Sequence, residues 1–373
     1  MTSPPVPDSR LSVSEFLRCH LISRDPLIII SYGLPLGAPI QLSPYLADRK
    51  AYFLMGNWWS LLDRKLLVHA KHFYTLMRDR YPRHEFLFLT NAREEDAMLE
   101  QIGLPHYFCH HNAFLDENIF RPLPGVAKTL DAVYTARLLP FKRHALARRI
   151  PSWGLAYYFE PGERQKQQAY LRHLRKTMPG MVCCNHDPAT DAYARLDPEA
   201  MCRTYNSARV GLCLSQVEGG NYATTEYMLA GLPVVSTISQ GGRDHFLDPD
   251  ISRIVEPNAV AVAEAVAELV ARHIPPRTVR LRALVKIREQ RQDFIRLIEA
   301  ILDREGCHGG FADRFESVFT NKMLTYPGTP EAFLAAHGLL PEGAGPRGTG
   351  PVSPAIQAGG ASRSGGHPSR PAP

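Results

Sequence analysis

Short apolar runs alternate along the chain with longer segments in which apolar residues recur about every three to four positions. Short runs rich in β-branched residues are typical of buried parallel strands, and the longer period is typical of amphipathic helices. The first pattern predicts strands at 27–31, 51–54, 86–89, 106–109, 133–136, 154–159, 181–184, 210–214, 233–236 and 253–255. The second predicts helices at 13–22, 60–79, 93–102, 143–150, 164–176, 198–207, 222–230 and 260–272. This alternation predicts an α/β fold with parallel sheets.

A loop and a helix start lie between two of the predicted strands, in the segment SQVEGGNYATTEYMLAGLPVVST. Gly219 and Gly220 permit a tight turn and the close approach of another group to the backbone. Asn221 and Thr224 belong to the residue types that favour a helix N-terminus. A helix that starts at the carboxyl ends of parallel strands presents free N–H groups and the positive end of its dipole, which favour anions. The segment therefore predicts a phosphate-binding turn.

Two glutamates flank this turn and are separated by seven residues. Glu218 precedes the turn, and Glu226 lies about one turn into the predicted helix. Carboxylates repel phosphate, so they are better explained as acceptors for sugar hydroxyl groups. We expect one of them to hold a ribose and the other a hexose, which together with the phosphate turn predicts a sugar-nucleotide site.

This arrangement resembles the retaining GT-B glycosyltransferases of family 4. The resemblance rests on Glu218, the seven residues after it, Glu226, the sequence AGLPVVST, and the pair Gly241-Gly242. It implies that Glu226 binds the ribose of the nucleotide and that Glu218 contacts the donor hexose.

A second match to that family follows the strand-like run DAVYTA. Arg137, Leu138 and Lys142 resemble the signature Gly-Arg-Leu, three residues, Lys-Gly, with Ala136 and Arg143 in place of the two glycines. The resemblance implies that Arg137 and Lys142 neutralise the donor diphosphate through charge-assisted hydrogen bonds of about 1.5–3 kcal/mol each. No metal or other cofactor is then expected. Arg143 either adds a third charge or starts the next helix.

A third, looser match covers residues 84–124, which resemble the end of the first domain and the linker between the lobes. Many family members place a histidine in the first lobe near the donor sugar, but the turn after 51–54 holds Trp58 and Trp59 instead. These tryptophans either stack on a sugar ring or anchor the core. His110 and His111 precede the linker and are further candidates for the cleft.

The resemblance also divides the chain. Residues 131–302 match the nucleotide-sugar-binding lobe, whereas 11–124 is short for the acceptor-side lobe and lacks its glycine-rich opening loop. We interpret 31–39 as a turn. Residues 310–337 are predicted to form a C-terminal helical segment, and the resemblance implies that 311–323 crosses back to the first lobe. Residues 339–373, rich in Gly, Pro and Ser, are predicted to be disordered. The expected architecture is GT-B, with two Rossmann-like lobes, parallel sheets and a shortened first lobe.

Composition narrows the remaining classes of function. Hydrophobic residues make up 45% and charged residues 21% of the chain, which is typical of a globular protein. The net charge of +6 is modest, and the basic run at 164–176 is interpreted as a solvated helix face. No RNA-recognition motif is present, so no nucleic-acid partner is predicted. The seven cysteines are scattered and are expected to be reduced thiols, and no metal site is predicted.

The sequence also bears on location. No apolar run reaches the roughly 18–20 residues that cross a membrane, and the N-terminus lacks the basic-then-apolar pattern of a signal peptide. These observations predict a cytoplasmic protein. A peripheral contact with the inner face of the membrane stays open, because many enzymes of this kind glycosylate lipid-linked acceptors.

Together these patterns predict a retaining, metal-independent hexosyltransferase. Its predicted partners are a nucleotide-sugar donor and an unidentified glycan, lipid-linked or small-molecule acceptor, with polysaccharide biosynthesis as the expected setting. Two alternatives stay open: a non-catalytic sugar-nucleotide-binding module, because the first lobe is short, and a nucleotide-sugar epimerase, which would need no acceptor.

Overall fold

The computed structural model describes residues 16–33, 37–160, 162–187, 189–320, 326–327 and 329–340. These residues form two lobes, each built on one sheet, and a two-stranded pair. The strands of the first lobe are β1 Phe16–Leu17, β2 Cys19–Arg24, β3 Leu27–Gly33, β4 Ala51–Asn57, β5 His84–Thr90 and β6 His106–Phe108. Its helices are α1 Gly37–Leu46, α2 Arg64–Arg80 and α3 Arg93–Gln101.

The sheet of the first lobe has the order β2-β3-β4-β5-β6. Strands β3 to β6 are parallel and follow one another in chain order, while β2 is antiparallel to β3 at the edge. The apolar runs of β3 and β4 are buried on both faces, as expected for the centre of a parallel sheet. The predicted strands at 27–31 and 51–54 are therefore confirmed.

The predicted helix at 13–22 is wrong over its described part. Residues 19–22 belong to β2, which forms a hairpin with β3 through a tight turn at Asp25-Pro26. Pairing with the buried β3 strand overrides the local helical period, a common outcome for a short segment. Of the expected turn at 31–39, residues 34–36 lie outside the described residues, and α1 begins at Gly37.

The second lobe contains a six-stranded parallel sheet. Its strands are β7 Leu130–Thr135, β8 Trp153–Ala156, β9 Met181–Cys183, β10 Ala208–Cys213, β11 Val234–Thr237 and β12 Ser252–Val255. Its helices are α4 Arg164–Thr177, α5 Pro198–Asn206, α6 Tyr222–Leu229 and α7 Ala259–Ala271. The order β12-β11-β10-β7-β8-β9 reverses direction between β7 and β10. Open α/β sheets bind ligands beyond the carboxyl ends of the strands at such a reversal.

Helix α8 Pro276–Arg304 connects the two lobes. Its first half packs Val279 and Ile287 into the second-lobe core, and its second half packs Phe294 and Ile298 against the first-lobe sheet. Helix α9 Phe311–Val318 continues on the first lobe. This long helix was not predicted, and it makes the crossing that the sequence assigned to a later segment.

The rest of the chain consists of β13 Tyr326–Pro327, which pairs with β1, and α10 Pro330–Ala336. Residues 321–325 and 328 of the predicted helical segment lie outside the described residues, as do 341–373 of the predicted disordered tail. Leu339 is part of the first-lobe core. All seven cysteines are free thiols. Of the helices in the described ranges, none combines the length and apolar character needed to span a bilayer.

Candidate functional site

A buried ion pair lies at the carboxyl edge of the second-lobe sheet, where its strand order reverses. The turn Pro140–Lys142 follows β7 and the loop with Glu218 follows β10, so the ammonium of Lys142 meets the carboxylate of Glu218. Both side chains are 9% exposed. Burial acts to raise the pKa of Glu218, but the charge and hydrogen bond of Lys142, with help from Ser215 and Arg243, hold it below its ordinary value. The two residues are therefore a charged pair in the absence of any ligand.

Arg137 lies in the loop after β7 and is also paired. Its guanidinium donates to a carboxylate oxygen of Glu160, which follows β8, at 2.6 Å. Both side chains are 26% exposed, so this pair is much more accessible to water than the Lys142–Glu218 pair. The structure thus brings Arg137 and Lys142 to the same edge of the sheet, each with a carboxylate partner.

Glu226 lies on α6 and faces into the lobe. Its carboxylate accepts a hydrogen bond of 2.7 Å from the Tyr205 hydroxyl. Burial raises the pKa of Glu226 to about 7, although the bond from Tyr205 acts in the opposite direction. A group with such a pKa is about half protonated near neutrality, which is unusual for a glutamate.

The turn before α6 packs directly on the first lobe. A Cβ atom on Gly219 would lie 2.4 Å from the carbonyl oxygen of Trp58, and one on Gly220 would lie 2.2 Å from Nε2 of His111. Asn221, the residue before α6, has the left-handed φ of 52°. The two glycines are therefore required by the close contact between the lobes.

Thr224, predicted as a donor contact, is fully buried. Its hydroxyl lies 3.0 Å from the Cys213 thiol on β10.

Asn112, in the turn that ends the first lobe, reaches the start of α6. Its side-chain amide donates to the carbonyls of Gly220 and Asn221 and to the Thr225 hydroxyl, at 3.0, 3.0 and 2.8 Å. Asn112 thus ties the linker to the predicted phosphate turn.

Arg143 has a structural role that the sequence left open. It adopts a left-handed conformation with φ 52°, a conformation that glycine adopts more readily than other residues. Its guanidinium donates to the carbonyls of Leu214 and Ser215 and to the Thr237 hydroxyl, at 2.6, 2.7 and 2.8 Å. These bonds cap the ends of β10 and β11. Residues 144–147 form a short 3-10 turn, so the predicted helix at 143–150 is wrong.

His110 and His111 both lie at the boundary between the lobes and are buried. His110 accepts from the Asn112 N–H at Nδ1 and bonds the Gly242 carbonyl through Nε2 at 2.9 Å, so Nε2 carries the proton. His111 bonds the Asn57 carbonyl through Nδ1 at 3.2 Å, which leaves the lone pair on Nε2, next to Gly220. Burial lowers the pKa of His111 to about 4. His111 is therefore neutral and lies against the Gly219-Gly220 turn.

The two tryptophans after β4 have different environments. Trp59 belongs to the first-lobe core and meets the ring of Phe141 at 5.6 Å. Trp58 is 38% exposed, and the guanidinium of Arg18 lies 4.0 Å from the centre of its ring. Arg18 was not identified from the sequence, because the segment that contains it was interpreted as a helix. No local pattern marks it.

Comparison with solved structures identifies the fold of this chain. No protein-family model and no curated protein matches the chain. Sucrose-phosphate synthase from Thermosynechococcus elongatus superposes with a TM-score of 0.56 and 15% identity over 73% of this chain and 74% of that one. HepE from Anabaena, solved with UDP, superposes with a TM-score of 0.53 and 15% identity over 74% of this chain and 78% of that one. TarM superposes with a TM-score of 0.51 and 12% identity over 72% of this chain and 54% of that one.

These solved structures are GT-B glycosyltransferases with two Rossmann-like lobes. The fold is GT-B. The predicted fold class is therefore confirmed, and the candidate site lies where the GT-B lobes face each other. At these identities the likeness extends to the fold alone. Within the described ranges, no cluster of three or more His, Cys, Asp or Glu side chains has the arrangement of a metal site.

Proposed function

We propose that this protein is a glycosyltransferase that moves a hexose from a nucleoside-diphosphate sugar to an acceptor with retention of configuration. One observation carries the proposal: Lys142, Glu218 and the Gly219-Gly220 turn lie together at the strand reversal, with Glu226 on the helix that follows. HepE, which shares the fold, was solved with UDP, and we extend that class of ligand to this chain.

The paired cations define the proposed place of the diphosphate. Arg137 and Lys142 exchange part of their contact with Glu160 and Glu218 for phosphate oxygens. The N–H groups of the turn and of the start of α6 add further donors. Glu226 accepts from the ribose hydroxyls, and Glu218, released from part of its bond with Lys142, accepts from the hexose. These cations replace the charge that a metal would supply, so we propose that no cofactor takes part.

The proposed reaction breaks the bond between the anomeric carbon and the leaving phosphate oxygen. The acceptor oxygen forms its bond to that carbon on the same face, and its proton passes to the departing phosphate oxygen. Negative charge grows on the diphosphate in this step, so Arg137 and Lys142 stabilise the transition state more than the ground state.

A thermal-shift screen of UDP, GDP and ADP with their common sugars tests this proposal. A ligand that binds only the folded protein raises the melting temperature with its occupancy. We expect one sugar nucleotide to give a selective shift that Glu226→Ala removes. Glu264→Ala is a matched control, because Glu264 is an exposed glutamate on α7 in the same lobe. No shift with any nucleotide would contradict the proposal.

Two further assays separate the alternatives. The protein is incubated with the donor that binds, first alone and then with candidate acceptors. A changed sugar in the incubation without acceptor would indicate an epimerase. Binding without any turnover would indicate a sugar-nucleotide-binding module. Transfer that requires an acceptor supports the proposed function, and the anomeric configuration of the product tests retention. Flotation of the protein with anionic and neutral vesicles tests the peripheral membrane contact.

A further inference from the structure

Arg243 is a buried cation that is bonded to the loop of Glu218. It lies in the short turn after β11, and its side chain is 0% exposed. The guanidinium donates to the carbonyl and the hydroxyl of Ser215, at 2.7 and 3.2 Å, and to the carbonyl of Thr237. Asp244 balances its charge, with a carboxylate oxygen 2.9 Å from Nε. Because well-packed apolar residues are often as stable as a buried ion pair, packing alone does not account for this arrangement.

The turn that carries Arg243 and the loop that carries Glu218 are packed backbone to backbone. The N–H of Glu218 donates to the carbonyl of Gln240 at 3.1 Å, and the N–H of Gln240 donates to the carbonyl of Gln216 at 3.0 Å. A Cβ atom on Gly241 would overlap the carbonyl oxygen of Glu218. A change in the bonds of Arg243 is therefore passed directly to the backbone of Glu218.

Two cations act on Glu218, and they are held in different ways. Burial acts to raise the pKa of Glu218, and the charges of Lys142 and Arg243 hold it below its ordinary value. The ammonium of Lys142 bonds Glu218 itself, whereas the guanidinium of Arg243 bonds fixed carbonyls and Asp244. Arg243 therefore stays beside the Glu218 loop whatever Lys142 binds. Further titratable groups that interact with Glu218 are neutral near pH 7, namely His111, Tyr134 and Cys213.

We propose that Arg243 is a positioning residue for sugar transfer, which fixes the loop of Glu218 and keeps its carboxylate ionised when Lys142 turns to the donor diphosphate. This inference rests on the proposed function, in which Lys142 exchanges part of its contact with Glu218 for phosphate oxygens. A buried carboxylate that loses an ammonium partner is driven to take up a proton. A protonated carboxyl group donates one hydrogen bond and has less capacity to accept them. Arg243 thus preserves the acceptor that the hexose hydroxyls require.

The test is the rate of nucleoside-diphosphate release as a function of pH, with the acceptor that the transfer assay identifies. A saturating concentration of the sugar nucleotide removes the effect of Glu226, which we propose acts on donor affinity. The acid limb of the profile then reports the ionisation of Glu218 in the donor complex. Loss of a nearby cation raises the pKa of a carboxyl group, so we expect the acid limb of Arg243→Met to lie about one pH unit higher. Arg243→Lys keeps the charge but loses bonds, so we expect an unmoved limb and a rate that is roughly tenfold lower.

Arg291→Met is the matched control. Arg291 is also a buried arginine, and it donates to the carbonyls of Ala113 and Leu115, at 2.7 and 2.9 Å, and to the carboxylate of Glu117. The variant therefore loses the same kinds of bonds from a residue on α8. We expect it to lower the stability of the protein and to leave the acid limb in place.

Two further variants decide the question if Arg243→Met does not fold. The double variant Arg243→Met with Asp244→Asn removes both members of the ion pair, so no buried carboxylate is left unpaired. Ser215→Ala removes a hydroxyl that accepts from Arg243 and also helps to lower the pKa of Glu218, so we expect a smaller rise of the acid limb. Ser43→Ala is its control, because Ser43 is a buried serine on α1 in the first lobe.

Each outcome decides a different statement. A limb that rises in Arg243→Met and stays in place in Arg243→Lys and Arg291→Met supports the inference. A limb that stays in place in every folded variant, with the unaltered protein active, overturns it and leaves the proposed function standing. Equal movement in Arg243→Lys and Arg243→Met also overturns it, because lost packing would then be the cause. Absence of donor binding or of turnover in the unaltered protein removes the proposed function and this inference together.

Discussion

The two lobes are built from similar elements but differ at the carboxyl edges of their sheets. In the second lobe the strand order reverses between β7 and β10, so the loops that follow these strands diverge and leave a crevice that holds Lys142 and Glu218. In the first lobe the parallel strands follow in chain order, and no reversal interrupts the edge. The crevice belongs to one lobe, and the other lobe covers it.

The buried polar groups at the two edges differ in the same way. At the edge of the second lobe the buried side chains are charged, with Lys142, Glu218 and Arg243 in contact or close interaction. At the edge of the first lobe they are mostly neutral, such as His110 and His111, whose pKa values are lowered by burial. The comparison teaches that the buried charges lie in the second lobe, whereas the first lobe supplies a neutral, close-fitting cover. Four variants test this division.

The largest effect is expected at Lys142. Lys142→Met removes the cation that we propose stabilises the leaving diphosphate, and we expect turnover to fall by roughly a hundredfold or more. It also leaves the buried Glu218 carboxylate without its ammonium partner, at a cost of about 3–5 kcal/mol in the free energy of unfolding. Rates of nucleoside-diphosphate release and denaturant unfolding measure the two effects.

Two controls sharpen this test. The double variant Lys142→Met with Glu218→Gln regains most of the stability but not the turnover. Lys50→Met, on the first lobe, breaks an ion pair with Glu305 in which Lys50 is half exposed, and it changes the free energy of unfolding far less, because water screens the pair. Equal stability losses in the Lys142 and Lys50 variants would contradict the division between the lobes.

The next effect concerns the close contact between the lobes. Gly220→Ala inserts a methyl group against the buried ring of His111, and we expect a loss of about 1–3 kcal/mol in the free energy of unfolding. Gly37→Ala is the matched control, because a Cβ there meets no atom within 4 Å. Thermal and denaturant unfolding of both variants make the measurement. Unchanged stability in Gly220→Ala would mean that the cover is not tightly packed.

A change in donor affinity of about tenfold is expected from pH. The pKa of Glu226 is about 7, and its carboxylate form is the one that accepts two ribose hydroxyls. Because its ionised fraction rises about tenfold between pH 6 and pH 8, donor affinity rises by a similar factor. The sugar nucleotide itself is the probe, since its diphosphate does not titrate in this range. A pH-independent affinity of the unaltered protein would remove Glu226 from the ribose site.

The variant Glu226→Gln should give a flat affinity profile. The same shift has a consequence for the free protein. An acid whose pKa is raised by folding stabilises the folded state fully only below its unfolded pKa, so this contribution is lost as pH rises from about 4.5 to 7. Glu226→Gln therefore also removes this part of the pH dependence of unfolding.

The smallest effect is expected at the exposed pair. Glu160→Gln frees Arg137 for phosphate, and we expect UDP to bind about two- to fivefold more tightly, because a partly exposed pair is worth less than about 1 kcal/mol. Glu163→Gln, which breaks the exposed pair with Lys166, is the control. Weaker UDP binding in Glu160→Gln would show that Glu160 orients Arg137 and does not compete with the ligand.

The sequence predicts much of this structure because much of it is local. The apolar runs of β4 and β10 locate buried strands, and the residues of the second-lobe site lie in two short segments whose spacing is readable. Lys142 and Glu218 are recognisable from their own neighbours, and the structure places them in contact. The roles of these residues in donor binding stay predictions.

The remaining features depend on partners that are distant in the chain. The prediction of a helix at 13–22 is wrong because the pairing of β2 with β3 determines the conformation of this segment. Arg18 and Trp58 come from two separate segments and meet only when the strands that flank them lie in one sheet. Helix α8 is predictable from the sequence, because its apolar residues recur with the helical period, at 279, 283, 287, 294 and 298.

Helix α8 also determines what can be separated. At 29 residues it is about 43 Å long, and each half completes the hydrophobic core of a different lobe. A chain cut before α8 would expose the surface that Val279 and Ile287 cover, and a chain cut within it would leave Phe294 and Ile298 without support. The two lobes are therefore expected to unfold in one cooperative transition. The boundary between the lobes therefore lies inside a single folding unit.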